Sequence, residues 1–240
     1  MKETIFITGV SRGLGHGLAK VYLESGHTVF GCSRGECDLV EAYPEQFNYA
    51  SIDLADHLKG KSTLENWLKR VSGFDRVILN AGILSEIRDM RDTPLESLRD
   101  TMEINVWSNK WLLDALLRME QKPRQVVAIS SGAAVSGSRG WNGYSISKAA
   151  LNMLVMLYAA EEPEVHFTSL APGLIDTAMQ DYICGIEADQ NFETVRRLKK
   201  AKNTPDMPSA EAAAHRISSA MEKFMSEPSG SFIDIRKMKS

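Results

Sequence analysis

Short runs of consecutive apolar and β-branched residues alternate along the chain with longer stretches whose apolar positions recur every three or four residues. Thr4–Thr8 is a run of the first kind. Leu14, Leu18, Ala19, Tyr22 and Leu23 follow at helical spacing. Gly26 closes that helix, and His27–Cys32 is the next strand candidate. Tyr49–Ile52 predicts a further strand, residues around Leu58–Val71 a helix, and Arg76–Leu79 another strand. A long helical stretch covers about Pro94–Met119, with Pro94 in the first turn, where its missing N–H does no harm. Gln125–Ser130 and Val165–Leu170 are strand-like and flank Gly143–Ala160, a helix that is apolar on almost every side. Beyond Pro172-Gly173 the period weakens, and residues 176–206 hold helical patches without a steady repeat. A last helix starts near Ser209, an N-cap type of residue, and ends near Pro228-Ser229-Gly230. Ser231–Ile235 is the final strand candidate.

Strands and helices in alternation predict an α/β fold: a single-domain, Rossmann-like, doubly wound parallel sheet with helices on both faces. The 240 residues hold no internal repeat, low-complexity stretch or Pro/Gly/Ser linker that would divide them. A chain of this length can bury roughly 70% of its unfolded surface in one core. At 43% hydrophobic and 25% charged residues it has a globular composition.

Charge narrows the function. Lys+Arg is 28 against 31 Asp+Glu, a net charge of −3, so the basic excess of a nucleic-acid binder is missing. Two local basic clusters, Arg196, Arg197, Lys199, Lys200 and Lys202, then Arg236, Lys237 and Lys239, read as a solvated helix face and a solvated tail. Cys32, Cys37 and Cys184 are odd in number and lack motif spacing, against a disulfide framework or zinc site and consistent with a reducing compartment. The five histidines share no ligand spacing, so no metal is expected. No apolar run approaches the ~18 residues of a membrane span. The N-terminus has no signal-peptide core. A cytoplasmic location with no membrane partner is the expectation.

The chemistry starts at Thr8-Gly9-Val10-Ser11-Arg12-Gly13-Leu14-Gly15, between the first strand and the first helix. Glycines let a backbone turn tightly and approach a pyrophosphate, whose charge the helix N-terminus then receives. An ordinary βα turn would also use glycine. The spacing T-G-x-x-x-G-x-G is not the G-x-G-x-x-G of typical dinucleotide folds; it resembles the short-chain dehydrogenase/reductase family. Further motifs of that family stand in order along the chain. They are Asn80-Ala81-Gly82 after the fourth strand, Tyr144-x-x-x-Lys148 on a helix, Ser131 thirteen positions before the tyrosine, Asn105 on the long helix, and Pro172-Gly173 with Thr177 beyond it.

The resemblance covers essentially the whole chain and implies a cofactor-binding half over about 1–120 and a catalytic and substrate part over about 121–240, with a lid at about 176–206. It implies that Gly9, Ser11, Arg12, Gly13, Leu14, Gly15, Asn80, Ala81, Gly82, Tyr144, Lys148, Pro172, Gly173 and Thr177 hold a nicotinamide dinucleotide, and that Asp53-Leu54 contacts the adenine. An Asp or Glu at the end of the second strand would accept from the 2′-OH of NAD. Ser33 stands there instead, with Arg34 next and Arg12 in the glycine turn. Guanidinium groups suit a 2′-phosphate, so the cofactor expected is NADP(H); Glu36 and Asp38 nearby weigh against it.

At the reaction centre, Tyr144 is expected to give a proton to a carbonyl oxygen. Lys148, four residues on and so on the same helix face, should favour the phenolate and lower the tyrosine pKa. Lys148 is implied to hold the nicotinamide ribose, Ser131 to position the carbonyl oxygen, and Asn105 to hold a water between Lys148 and solvent. Ser130 competes with Ser131, but neighbours on a strand face opposite ways and the thirteen-residue spacing favours Ser131. Ser130–Ala134, Gly140–Tyr144 and Ala171–Gln180 resemble the sepiapterin reductase and benzil reductase (benzoin-forming) branch, which reduces ketones and vicinal diketones. Trp141 either lines the site or packs beside it. Met179, Tyr182, Ile183 and Phe192 either form an apolar lid or pack on the sheet. A non-catalytic NADP-sensing member and a hydroxysteroid or acyl-type dehydrogenase share the core motifs and stay open. The all-round apolar Gly143–Ala160 helix needs cover on both sides, which predicts a homodimer or homotetramer.

Overall fold

A computed structural model describes residues 1–187 and 191–238. Lys239 and residues 188–190 of the expected lid lie outside the described residues. The strands are β1 (Thr4–Thr8), β2 (Thr28–Ser33), β3 (Phe47–Ser51), β4 (Arg76–Leu79), β5 (Gln125–Ile129), β6 (His166–Ala171) and β7 (Ser231–Asp234). The helices are α1 (Gly13–Glu24), α2 (Leu39–Ala42), α3 (His57–Leu68), α4 (Leu95–Met102), α5 (Ser108–Leu116), α6 (Asn142–Glu161), α7 (Ala178–Gly185), α8 (Glu193–Ala201) and α9 (Ala210–Phe224).

All seven strands form one parallel sheet in the order β3-β2-β1-β4-β5-β6-β7. β1 lies inside it, paired with β2 (Ile7 opposite Gly31) and with β4 (Ile7 opposite Ile78). Strand alternation explains the two-sided core. Ile5 and Ile7 face one layer, where Leu14, Leu18 and Val21 of α1 meet Ala213, Ile217, Met221 and Phe224 of α9. Phe6 between them faces the other layer, with Leu64 and Trp67 of α3, Leu112 and Leu116 of α5, and Leu151 and Val155 of α6. A sheet covered on both faces reads as continuous apolar runs, as these strands do. Ser209 caps α9 where expected, its Oγ accepting from Ala212 N at 3.2 Å.

Three departures from the periodic reading have physical causes. The long helix expected over Pro94–Met119 is two helices joined by a π-turn at Glu103–Trp107, which keeps helical continuity and so hides in the pattern. Helix α2 is too short to show a period. Residues 176–206 do form helices, α7 and α8, whose Ile183, Val195 and Leu198 pack with Trp141, Tyr144, Ile87 and Met207 in a small third cluster. No helix among the described residues is long and apolar enough to cross a membrane. The three cysteines are free, and burial pushes the Cys32 thiol up to about 12.

Candidate active site

The chain crosses the sheet after β3 and reverses its winding at β1 and β4, and a cleft of about 1420 Å³ opens along the strands' C-terminal ends at that point. At the start of the cleft, Gly9 turns with φ +77°. A Cβ at Gly15 would stand 2.2 Å from the Gly9 carbonyl oxygen and 2.4 Å from Asn80 Nδ2, so only glycine fits there. The turn is braced from β4. The Thr8 hydroxyl accepts from the backbone N–H of Asn80 and of Ala81, each at 2.9 Å, and Asn80 Nδ2 donates to Thr8 O at 2.9 Å. Helix α1 then begins with no side-chain cap and no acidic residue in its first turn. Its free N–H groups and dipole end suit a pyrophosphate.

Beyond β2, the Ser33 hydroxyl meets the Tyr49 hydroxyl at 3.0 Å and donates to Gly35 O at 3.2 Å. Ser33 thus fills the strand end where a carboxylate would bind a 2′-OH. Arg34 and Arg12 are exposed on the cleft wall, and neither has an ion-pair partner among the described residues. His16 in α1 pairs with Asp38 at 2.7 Å, drawing the segment after Arg34 onto the glycine turn; Cys37 Sγ donates to Val10 O at 3.3 Å.

The other end of the cleft holds Tyr144, Lys148 and Ser131. Ser131 follows β5 in extended backbone and accepts from Ala133 N at 3.1 Å. Ser130 turns the opposite way and donates to Asn152 Oδ1 of α6 at 2.6 Å, which removes it as a competitor. Lys148 is 4% exposed, and its Nζ donates to Ile129 O at 2.7 Å, 5.8 Å from the Tyr144 ring centre. That is its single protein acceptor among the described residues. A buried ammonium with two N–H groups unanswered fits the hydroxyls of a ribose. Burial lowers the Lys148 pKa to about 8. Burial also pushes the Tyr144 phenol up, and the Ser131 hydroxyl pulls only partly against it. The expected lowering of the tyrosine by the lysine is therefore corrected: burial of the phenol sets the direction, and the Ser131 hydrogen bond is what opposes it.

All the expected site residues line the cleft except Gly15 and Asn105. Gly15 is packed beneath it. Asn105 lies in the π-turn, fully buried. Its Oδ1 accepts from Ile83 N at 2.8 Å, and its Nδ2 donates to Ile83 O and to Ser147 Oγ, both at 2.9 Å. With both amide N–H groups used, the side chain is a brace and holds no water by donation. It sets the loop after Gly82, where a Cβ would stand 3.1 Å from Asn105 Oδ1 and 3.4 Å from Lys148 Nζ.

Two positioning residues escape sequence reasoning. Ser85 Oγ accepts from the Tyr144 backbone N–H at 2.9 Å and donates to Asn142 Oδ1 at 2.8 Å. Asn142 in turn donates to Glu86 O, Arg88 O and Thr93 Oγ1. Together they cap α6 at the turn that carries Tyr144. Trp141 both lines the cleft and packs on Tyr144, ring centres 5.8 Å apart. Met179, Tyr182 and Ile183 border the cleft, whereas Phe192 packs on Gly140 under Arg139. The Arg236–Lys237 cluster, expected as a solvated tail, forms cleft wall, because β7 joins the sheet and returns these residues to the strand ends.

The family model described as short chain dehydrogenase matches residues 3–185. The chain belongs to the short-chain dehydrogenase family. It is 30% identical over 230 residues to a benzil reductase ((S)-benzoin forming) of Bacillus subtilis, covering 92% of this chain and 94% of that one. It is 29% identical over 245 residues to a sepiapterin reductase of Meriones unguiculatus, covering 90% of each. The kinship expected from the motifs is borne out. A short-chain dehydrogenase/reductase of Burkholderia multivorans, solved with bound NADP, superposes with a TM-score of 0.79 at 23% identity, covering 100% of this chain and 99% of that one. As a member of this family the protein is an oxidoreductase acting on a small molecule.

Proposed function

We propose that this short-chain dehydrogenase is an NADPH-dependent carbonyl reductase that converts a ketone or vicinal diketone to an alcohol, with Tyr144 as its acid–base. The observation that carries the reading is the buried Lys148, unanswered at two N–H groups, beside Tyr144 and Ser131 in the cleft that begins at the uncapped α1. NADPH, when bound, supplies the hydride. The elevated pKa of Tyr144 keeps its proton in place through neutral pH, the state needed to protonate a carbonyl oxygen. The Ser131 hydroxyl donates to that oxygen and fixes it near the phenol. Lys148 orients the ribose and supports proton transfer. Asn105 holds the Gly82 loop beside Lys148, and Ser85 with Asn142 holds the first turn of α6.

Ser33 in place of an acid, with Arg12 and Arg34 unpaired on the wall among the described residues, supports NADPH over NADH. The B. subtilis relative supports a diketone substrate, and Leu174 with Met179 and Ile183 of α7 gives the substrate end an apolar border. Ile146, Met153, Met156 and Leu157 leave one face of α6 apolar and exposed, which supports a homodimer or homotetramer. The three free cysteines support a cytoplasmic setting. The test is steady-state oxidation of NADPH and NADH with benzil, diacetyl and sepiapterin. Turnover with a KM for NADPH at least about tenfold below that for NADH is expected. Consumption of neither cofactor with any carbonyl contradicts the reading.

A further inference from the structure

We propose that Arg236 holds the second carbonyl oxygen of a vicinal dicarbonyl substrate, so that the enzyme selects diketones over simple ketones; this rests on the carbonyl-reductase reading above. Arg236 sits in the short turn Ile235–Lys237 that follows β7. Its stem packs on the loop after β6: a Cβ at Gly173 would stand 3.3 Å from Arg236 Cδ. Its guanidinium reaches the turn after β5: a Cβ at Gly132 would stand 3.8 Å from Arg236 Nη2. Gly132 directly follows Ser131, and Arg236, Ser131 and Tyr144 all line the same cleft. The two oxygens of a vicinal dicarbonyl sit on adjacent carbons, so a substrate positioned at Ser131 carries its second acceptor in the same cleft.

The guanidinium is fixed in place. Asp234, whose side chain is 9% exposed, accepts from Arg236 Nε at 2.9 Å and from Nη2 at 2.7 Å. Asp234 Oδ1 also takes the Arg236 backbone N–H at 3.1 Å, and Arg216 Nη2 donates to Ile235 O at 2.9 Å. A fork held this way is a rigid donor array. Of its five N–H groups, Asp234 answers two, and Nη1 has no acceptor among the described residues. Arg236 remains 51% exposed on the cleft wall. Because Asp234 balances its charge, the remaining donors suit a neutral acceptor, and a second carbonyl oxygen meets that need. The reaction balances as one hydride from NADPH to the carbonyl carbon at Ser131 and one proton from Tyr144 to its oxygen. The C–O π pair forms the new O–H bond with that proton, the Tyr144 phenolate regains a proton from solvent, NADP⁺ leaves, and the carbonyl on Arg236 is unchanged, giving a hydroxyketone.

The test compares kcat/KM for benzil and for deoxybenzoin, which differ by that one carbonyl oxygen. The wild type should favour benzil. Arg236→Ala should lower the benzil-to-deoxybenzoin ratio about 10- to 100-fold, the range for a hydrogen bond to a charged donor. Arg236→Lys, which keeps the charge without the fork, should fall between the two. Melting temperature and NADPH affinity, measured on each variant, separate this from misfolding or a cofactor contact. An unchanged ratio, or a loss that tracks weakened NADPH binding, overturns the inference and leaves the carbonyl-reductase reading standing. A wild type that reduces neither ketone overturns the inference, and one that also reduces neither diacetyl nor sepiapterin overturns both.

Discussion

Replacing Lys148 with methionine should stabilise the cofactor-free protein at neutral pH while abolishing its turnover. Burial lowers the lysine from 10.5 to about 8. A tenfold change in proton affinity corresponds to about 1.4 kcal/mol, so the native state carries a penalty of roughly 3 kcal/mol at pH 7 for holding this charge. Below pH 8 both folded and unfolded chains keep the proton, and the penalty is whole. Between about 8 and 10.5 the unfolded chain binds more protons, so stability rises with pH. Methionine removes the charge at similar length but leaves the Ile129 carbonyl without its donor, at a cost of about 1 kcal/mol. A net gain of about 2 kcal/mol remains at pH 7, or roughly 4–8 °C in Tm for a chain of this size. Urea unfolding of both proteins between pH 7 and 9.5 isolates the effect, since other groups cancel in the difference. The wild type should gain about 2 kcal/mol on the variant across that range. A difference that does not move with pH refutes the reasoning. So does a variant that is less stable at pH 7 by more than the lost hydrogen bond.

Arg12→Ala and Arg34→Ala should each raise the KM for NADPH about tenfold or more and leave that for NADH nearly unchanged, read by initial rates with each cofactor. Gly15→Ala should lose both stability and cofactor binding, since its Cβ would enter the Gly9 carbonyl and the Asn80 amide; thermal melting and cofactor titration check this. Ser85→Ala should cost about 1 kcal/mol of stability and lower kcat by disordering the first turn of α6, with NADPH affinity retained, as measured by unfolding and single-turnover rates.

The features legible in the sequence are those whose signal is local. Gly9, Gly13 and Gly15 share one turn, Tyr144 and Lys148 share one helix face, and the strands announce themselves as unbroken apolar runs. The features that escape it depend on residues far apart in the chain. Ser85 reaches Tyr144 across 59 positions, and Asn105 reaches Ile83 across 22. Arg236 reads as tail because the strand candidate Ser231–Ile235 does not by itself say that it pairs with β6 and so brings its end to the cleft. The direction of the Tyr144 pKa is hidden for a related reason: spacing reveals the neighbouring charge, whereas burial needs the packed layers of α6, α7 and α8. The π-turn around Asn105 is silent because an i→i+5 bond disturbs the apolar period too little to show.

The central claim is that Tyr144 moves the proton in an NADPH-dependent carbonyl reduction. Its most direct test is single-turnover NADPH oxidation with benzil by the wild type and by Tyr144→Phe, alongside NADPH affinity for each. The account predicts a rate for the variant at least about 100-fold below the wild type, the range for losing a general acid, with NADPH bound equally well. A variant that oxidises NADPH at close to the wild-type rate contradicts it.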